Sequence, residues 1–107
     1  VDVVQPDVMY NGGLIRALQV AEMAAAAGMS IMPHSPKVGA EAAAVLQFCS
    51  VAENLGPYQE WGGEYREPAS WCSPTFEIRN GCVHVPTGPG LGVDYDPGIW
   101  DRTERLI

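Results

Sequence analysis

The stretch Val1–Pro36 constrains the fold most, because it follows the order strand, turn, helix, strand. An apolar run that begins at Val1 leads to Asp7, and a second run, Met29–Pro33, leads to His34. A parallel strand needs a crossover of a dozen or more residues, usually a helix, to reach its neighbour. The 27 positions that separate Asp7 from His34 suit one such βαβ unit. The sequence therefore predicts a carboxylate beside an imidazole at the ends of two parallel strands, where the carboxylate can orient the histidine as a general base.

The crossover helix is predicted over Leu14–Ala27, because this segment is rich in strong helix formers. The turn residues Asn11–Gly13 precede it, and Gly28 is placed to end it in a left-handed conformation. The expected solvent face consists of polar residues at three-residue spacing, Arg16, Gln19 and Glu22. The expected buried face consists of apolar residues, Leu14, Leu18, Ala21 and Ala25.

A second unit of strand, loop and helix follows the first. Another Ala-rich helix is predicted over Gly39–Ala52. Its side chains available for packing are Val45, Leu46 and Phe48. A turn then leads into a third strand, Tyr58–Trp61, which ends at Gly62–Gly63. This repetition predicts an α/β fold with a parallel sheet or barrel.

The C-terminal part of the chain does not repeat this unit. Residues 64–74 are polar and contain two prolines, so they are predicted to form a loop. Two alternating runs, Phe76–Arg79 and Cys82–Val85, flank Asn80–Gly81, which is a strong hairpin signal. A short terminal helix is predicted to open at Asp96–Pro97. We expect this tail to pack across the barrel or on another domain.

Charge and hydropathy exclude several classes of partner. Thirteen acidic and six basic residues give a formal charge of −7, and no cluster of Lys or Arg is present. Nucleic acid and anionic membranes are therefore not expected as partners. The longest uncharged apolar stretch, near Met23–Met32, is shorter than the roughly 20 residues of a membrane span.

The three cysteines and the start of the chain support two further expectations. Cys49, Cys72 and Cys82 lack CxxC or Cys/His spacing, so we expect reduced thiols in a cytoplasmic protein and no structural zinc. The chain begins directly with an apolar run, and three buried strands are too few to close a sheet that is covered on both faces. We expect it to be the C-terminal piece of a larger protein.

Three groups that can take part in proton chemistry lie at predicted strand ends, Asp7, His34 and Glu60. A lone histidine near a strand end is more often structural. Ligands and chemistry nevertheless gather at the carboxyl ends of parallel strands, which makes these three the candidate catalytic residues. Trp61, beside Glu60, is either a packing residue or part of a substrate pocket, and Asn11 is assigned to the same pocket.

Other features have simpler interpretations. His84 lies in an alternating hairpin strand and is expected to face solvent or to pack against the tail. The glycine-rich segment 87–92 is followed by neither a lysine nor a helix, so it matches no phosphate-binding pattern. Three acidic residues are expected to be solvated surface charges, Glu64, Glu67 and Asp94.

Four segments carry a resemblance to a known family, namely DVVQPDVMYNGG, AAAAGMSIMPHSP, YQEW and VPTGPGLGVDYD. In this order they resemble the C-terminal third of enolase-superfamily enzymes, in particular the mandelate racemase/muconate lactonizing enzyme family. The resemblance implies the C-terminal part of a modified (β/α) TIM-type barrel. Residues 1–63 would supply its last three strands, and residues 64–107 would form a tail on the capping domain.

The resemblance also implies roles for the candidate residues. Asp7 and His34 would form a His–Asp dyad with His34 as the base, and Glu60 would hydrogen-bond the substrate carboxylate and its enediolate. The family uses Mg²⁺, and its acidic ligands would lie upstream of Val1. The expected partners are a small carboxylate substrate, the N-terminal remainder of the same protein and further copies in a homo-oligomer.

Three functions stay open at this point. The first is an acid-sugar (aldonate or aldarate) dehydratase, in which the imidazolium of His34 protonates a departing β-hydroxyl. The second is a racemase or epimerase of a 2-hydroxy acid, which needs a second base on the opposite face of the substrate. The third is a non-catalytic relative or a structural fragment. We expect this chain alone to be inactive in every case.

Overall fold

The first half of the chain forms a βαβ unit. The structure is a computed structural model that describes residues 1–62 and 69–104. Strand β1 (Val3–Val4) is followed by helix α1 (Leu14–Ala26) and strand β2 (Ser30–Ile31). The two strands are parallel. The βαβ unit predicted from the spacing is therefore present, although both strands are shorter than the apolar runs that indicate them.

Hydrogen bonds between β1 and β2 continue beyond the two short strands. Backbone N–H groups of alternate residues in the second segment, Ser30, Met32 and His34, donate to carbonyl oxygens of the first, at Asp2, Val4 and Pro6. The three N···O distances are 3.0, 3.0 and 3.1 Å. Evenly spaced bonds of this kind are typical of parallel pairing. The two segments therefore stay in register as far as His34.

Helix α1 ends as the sequence predicts, within one residue. Ala27 is its C-cap, and Gly28 follows with φ +71°. The N–H of Gly28 donates to the carbonyl of Ala25 (2.9 Å), and the N–H of Met29 donates to that of Ala24 (2.8 Å). This pair of bonds is a Schellman motif, which satisfies carbonyls that the helix end would leave unpaired.

The buried face of α1 matches the predicted one in part, since Ala21 is buried and Leu14 and Leu18 are half-buried against the core. Arg16, Gln19 and Glu22 are exposed, as expected. Ala25, which was expected to be buried, is exposed, and the buried residues are Ala17, Ala21 and Ala24. The spacing Ala17, Ala21, Ala24 follows the period of 3.6 residues, and Ala25 lies past the edge of that stripe.

Helix α2 (Gly39–Val51) packs against α1 and contributes to the same core. Val45, Leu46 and Phe48 are buried, as predicted, and Phe48 is fully excluded from solvent. The central cluster joins both helices to the strands through Val8, Ala17, Ala21, Ala24, Ile31, Val45 and Phe48. Small alanines on α1 let the larger Phe48 and Ile31 fill the space between the layers. Neither of these helices combines the length and the apolar character needed to cross a membrane.

The third strand predicted over Tyr58–Trp61 is not formed. A single parallel bridge instead joins Ile31 to Leu55, through bonds from the N–H of Ile31 to Asn54 and from the N–H of Gly56 to Ile31. The next donor of this ladder would be residue 33, which is a proline without an N–H. The pairing therefore stops one step after it starts.

The tail contains a short antiparallel pair, β3 (Cys72–Ser73) with β4 (Asp94–Tyr95). β3 lies in the segment 64–74 that was predicted to be loop, and Glu64 and Glu67 of that segment lie outside the described residues. The two strands meet because residues 74–93 fold back, which brings Tyr95 opposite Cys72.

The predicted hairpin turn is present without its predicted strands. Asn80 (φ +52°) and Gly81 (φ +76°) form the tight turn, and Arg79 and Cys82 bond each other across it at 2.8 and 3.0 Å. No further pairing continues into residues 76–78 or 83–85. A 3₁₀ helix, Pro97–Arg102, opens at Asp96, whose carboxylate accepts from the N–H of Gly98 (3.0 Å). The last residues expected in a terminal helix, 105–107, are outside the described part.

The tail is attached to α2. The side-chain amide of Gln47 donates to the carbonyl of Pro86 (2.9 Å). At the start of α2, Gly39 has φ +60°, and a Cβ at this position would lie 2.9 Å from the Cβ of Ala69. Only glycine combines this backbone conformation with such a close approach. The N-terminus of α2 is thus in direct contact with the residues that precede β3.

Candidate active site at the ends of the parallel strands

The register of β1 and β2 brings Asp7 opposite His34. The pairs Val3–Ser30 and Val4–Ile31 are each 27 positions apart, as are Asp7 and His34. The Nδ1 atom of His34 lies 2.9 Å from the Oδ2 atom of Asp7. The carboxylate and the imidazole are therefore joined by a direct hydrogen bond at the carboxyl end of the strand pair.

The carboxylate of Asp7 accepts hydrogen bonds at both oxygens. Oδ1 accepts from the N–H groups of Met9 (2.8 Å) and Tyr10 (3.0 Å) in the turn that follows β1. Oδ2 accepts from His34 and from the ammonium group of Lys37, 3.0 Å away. The side chain is only 11% exposed, and this burial opposes ionisation. The hydrogen bonds, led by that of His34, outweigh the burial and hold the pKa of Asp7 well below its usual range.

The imidazole of His34 presents its other nitrogen to the outside. An ionised carboxylate can only accept, so the contact with Asp7 places a proton on Nδ1, and in the neutral ring the lone pair is then on Nε2. The side chain is 46% exposed. The ring is thus held from one side by the strand ends and has a basic atom that a reactant can approach.

Glu60 reaches the same edge although no third strand carries it. Its Oε2 atom accepts from the backbone N–H of Ser35, at 2.9 Å. Ser35 is fully buried and directly follows His34, so this bond holds the Glu60 carboxylate at the backbone N–H of the residue next to the base. The N–H of Gly62 also donates to the carbonyl of Ser35 (2.9 Å), which holds the segment after Glu60 along the end of β2.

Trp61 follows Glu60 in the chain, and Asn11 is bonded to the backbone of Asp7. The indole of Trp61 is half-buried and meets the ring of Phe76 edge to face, with centroids 6.4 Å apart. It lines a cavity of about 250 Å³ between α2 and the tail. The N–H of Asn11 donates to the carbonyl of Asp7 (2.8 Å), whereas its side-chain Nδ2 is buried with no partner among the described residues. A role in substrate binding stays a prediction for both residues.

Lys37 also belongs to this cluster, although the sequence analysis did not identify it as a site residue. Its side chain is 7% exposed, and its Nζ atom bonds Asp7 and lies 4.4 Å from the centroid of the Tyr10 ring. A lysine in a loop that follows a proline is ordinarily solvated. The available signal was that Lys37 is the only lysine of the chain and follows the PHSP segment directly.

The described residues do not provide a metal site. No group of three or more His, Cys, Asp or Glu side chains among residues 1–62 and 69–104 is arranged to hold an ion. Asp7 is already bonded to two nitrogen donors, and Glu60 to a main-chain N–H. These carboxylates are therefore engaged within the protein and are not available as a set of metal ligands.

The fold and the site together define an α/β protein whose parallel strands end in a carboxylate–imidazole pair with a second acid beside it. The chain belongs to the enolase C-terminal domain-like family, whose model matches residues 1–99. Both the resemblance and the α/β fold class predicted from the sequence are confirmed. The architecture is that of the C-terminal part of a TIM-barrel enzyme.

Two curated relatives illustrate the similarity. A D-galactarolactone cycloisomerase from Agrobacterium fabrum is 31% identical over 90% of this chain and 28% of its own length. A D-galactonate dehydratase from Ralstonia nicotianae is 31% identical over 91% of this chain and 27% of its own length. The chain thus spans little more than a quarter of these relatives.

Solved structures agree with this placement. An enolase from Mycobacterium smegmatis in complex with tartrate superposes with a TM-score of 0.82 at 29% identity, over 95% of this chain and 25% of that one. An enolase from Gibberella zeae in complex with magnesium, formate and sulfate gives a TM-score of 0.82 at 28% identity, with the same two coverages. The described strands and helices therefore have close counterparts in larger enzymes.

Proposed function

We propose that the protein to which this chain belongs removes the α-proton of a small carboxylate substrate with His34 as the base. The observation that carries the proposal is the 2.9 Å hydrogen bond between His34 Nδ1 and Asp7 Oδ2 at matched positions of β1 and β2. A base must be correctly protonated and correctly aimed. This pair supports both requirements, since Asp7 fixes the tautomer and the ring orientation.

The proton transfer uses Nε2 of His34. The C–H bond at the α-carbon breaks, its electron pair enters the enediolate, and the proton passes to Nε2. The negative charge of Asp7 stabilises the imidazolium that results. A base of this type contributes about 10²–10⁴-fold to the rate.

Glu60 acts on the oxygen side of the substrate in this proposal. Its Oε2 atom is bonded to the N–H of Ser35, and no partner of Oε1 is found in the described part of the chain. A proton on Oε1 would be donated to a substrate oxygen as negative charge develops there. An interaction that strengthens with this charge is worth roughly 10²–10³ in rate. Trp61, next in the chain, would line the pocket on the same side.

The reaction we favour is the dehydration of an acid sugar, an aldonate or aldarate. Curated relatives named D-galactonate dehydratase support this choice. After the α-proton has moved to His34, the imidazolium returns it to the β-hydroxyl, which departs as water while the carbon–carbon double bond forms. The enol product then tautomerises to a 2-keto-3-deoxy acid. One histidine thereby serves first as base and then as acid.

An isomerase is the second candidate, and a specific observation favours it. The relative from Agrobacterium fabrum is named a D-galactarolactone cycloisomerase, so the same scaffold is associated with a reaction that releases no water. A racemase or epimerase would share the first proton transfer, and a second acid–base group on the opposite face of the substrate would then donate a proton to the α-carbon. The third possibility, a non-catalytic relative, predicts no transfer at all.

We also propose that the intact protein requires Mg²⁺. The solved enolase from Gibberella zeae contains magnesium, and the described residues of this chain supply no ligand set, so the ligands would belong to another part of the protein. A divalent ion bound to a substrate carboxylate supplies stabilisation of the enediolate charge. Assembly with that part of the protein, and with further copies in a homo-oligomer, belongs to the same proposal.

The test is a screen of the full-length protein, with Mg²⁺ in D₂O, against a library of aldonic and aldaric acids. Proton NMR follows the α-proton, and a semicarbazide assay follows the keto acid. Loss of the α-proton signal together with keto acid identifies a dehydratase. Deuterium incorporation without keto acid identifies a racemase, an epimerase or another isomerase. No exchange with any acid of the library would overturn the proposed function.

A further inference from the structure

A buried lysine shares the carboxylate oxygen that holds the proposed base. Lys37 Nζ lies 3.0 Å from Asp7 Oδ2, and His34 Nδ1 lies 2.9 Å from the same atom. The lysine side chain is 7% exposed, compared with 46% for the histidine. The ammonium group also lies over the ring of Tyr10, 4.4 Å from its centroid. This contact adds a cation–π attraction that keeps the charge in place.

Burying a lysine is costly unless its charge is paired. Asp7 provides that pairing here, and Tyr10 covers the other side of the ammonium group. Lys37 is also anchored from its own loop, because Gly39 after it is packed against Ala69 and starts α2. The position of the ammonium group is therefore set by the fold.

We propose that Lys37 is a positioning residue that opposes the protonation of His34 and thereby extends the activity of the proposed base to lower pH. The inference rests on the proposed function. The imidazole and ammonium nitrogens both bond one oxygen, so they lie within about 6 Å of each other, a separation at which like charges disfavour each other. The lysine pairs with Asp7 whether or not the imidazole is charged, so the carboxylate stabilises the imidazolium less than it would alone.

Other charged and titratable groups face this cluster and act in both directions. The carboxylate of Asp7 attracts a charged imidazole, whereas Glu60, which carries a proton in the proposed function, is bonded to the N–H of Ser35, the residue after His34. Glu77 and the thiol of Cys72 line the cavity that Lys37 borders, and Tyr10 covers the ammonium group. Lys37 is the one cationic side chain in this set, so its removal leaves only groups that are negative or neutral.

The test compares three substitutions in the full-length protein. Lys37→Met removes the charge and keeps most of the stem, whereas Lys37→Gln removes the charge and keeps a donor for Asp7. Lys37→Arg keeps the charge. The rate of α-proton exchange is measured as a function of pH with an acid sugar that the library screen identifies as a substrate. We expect the acid limb of the profile to move up by about one pH unit in the first two variants and to stay in place in Lys37→Arg.

NMR titration of the histidine ring provides a second readout that does not depend on turnover. His34 is followed in each variant, with His84, which is exposed and outside the site, as the internal reference. The His34 titration midpoint should rise in Lys37→Met and Lys37→Gln, while that of His84 stays constant. If Lys37→Met does not fold, Lys37→Gln carries the comparison.

The proposed function and the role of Lys37 are contradicted by different results. Absence of exchange in the wild-type protein contradicts the proposed function, while the NMR titration still tests Lys37. The role of Lys37 is contradicted if wild type, Lys37→Met and Lys37→Gln have the same acid limb and the same His34 midpoint. That result would leave the assignment of His34 as the base unaffected. A shift in Lys37→Arg as large as that in Lys37→Met would also overturn it, because charge would then not be the cause.

Discussion

Asp7 and His34 are joined twice, once by their side chains and once through the backbone that carries them. The side-chain bond from Nδ1 to Oδ2 measures 2.9 Å, and the N–H of His34 also donates to the carbonyl of Pro6, at 3.1 Å. The geometry of the pair thus follows from strand register. A base held in this way needs little reorganisation before it can accept a proton.

Substitutions at Glu60 should separate its chemical role from its structural one. Glu60→Gln keeps a carbonyl oxygen for the N–H of Ser35, so the free energy of unfolding should change by less than about 0.5 kcal/mol. Turnover of the acid sugar should fall by roughly 10²-fold, because an amide cannot supply the proton. Steady-state kinetics and chemical denaturation of the full-length protein measure the two effects.

The companion variant Glu60→Ala tests the bond to Ser35 directly. It leaves a buried N–H without an acceptor, which should cost about 1–3 kcal/mol of unfolding free energy. Glu53→Gln, at an exposed position in the turn after α2, is the matched control and should change neither quantity. Equal stabilities of Glu60→Gln and Glu60→Ala would mean that the contact with Ser35 contributes nothing.

Acid should destabilise the protein through Asp7. Because the pKa of Asp7 is lowered in the folded state, its ionised form stabilises the fold above the ordinary value near 4, and this contribution is lost as the pH falls below about 4. Asp7→Asn also leaves the buried charge of Lys37 unpaired, which should cost about 3 kcal/mol at neutral pH. The difference in unfolding free energy between wild type and Asp7→Asn should therefore be constant from pH 7 to about pH 4 and should begin to narrow between pH 4 and pH 3.

Asp94→Asn is the control for that experiment, since Asp94 is exposed. Its unfolding free energy should run parallel to that of the wild type over the whole pH range. Curves of Asp7→Asn that also run parallel to the wild type would show that Asp7 is not preferentially ionised in the folded protein.

The cysteines should differ sharply in reactivity. Burial raises the pKa of Cys49 to about 11, and burial also raises the pKa of Cys72 despite a hydrogen bond from the N–H of Ala40. The thiolate is the reactive form, so both should resist iodoacetamide at pH 8. Cys82 is exposed beside the hairpin turn and should be alkylated first. Peptide mass spectrometry of the native protein gives the order in which the thiols are alkylated. Cys82→Ser should leave the alkylation rates of Cys49 and Cys72 unchanged.

The sequence was most informative where one short-range rule decided the outcome. The interval between Asp7 and His34 predicted the βαβ unit, and it equals the register offset of the paired strands. Gly28 predicted the end of α1, because only glycine enters the left-handed conformation there at little cost. Both helices end within one residue of their predicted limits.

The rest depended on groups that are distant in the chain. The third strand was misplaced because Pro33, in the neighbouring segment, cannot donate the bond that would continue the pairing from Leu55. The contact between Lys37 and Asp7 required the loop after β2 to fold back over the turn after β1. Hydrophobic periodicity and helix or strand propensity describe single segments, so they carry no information about which loop folds back onto another part of the chain.

The exchange of the substrate α-proton in D₂O tests the central claim most directly. His34→Asn in the full-length protein should reduce exchange by at least about 10²-fold, since the base is removed while the fold of the strand pair remains. His84→Asn alters the other histidine of the chain, which is exposed, and should leave exchange at the wild-type rate. Exchange that persists in His34→Asn at a rate similar to that of the wild type would contradict the assignment of His34 as the base.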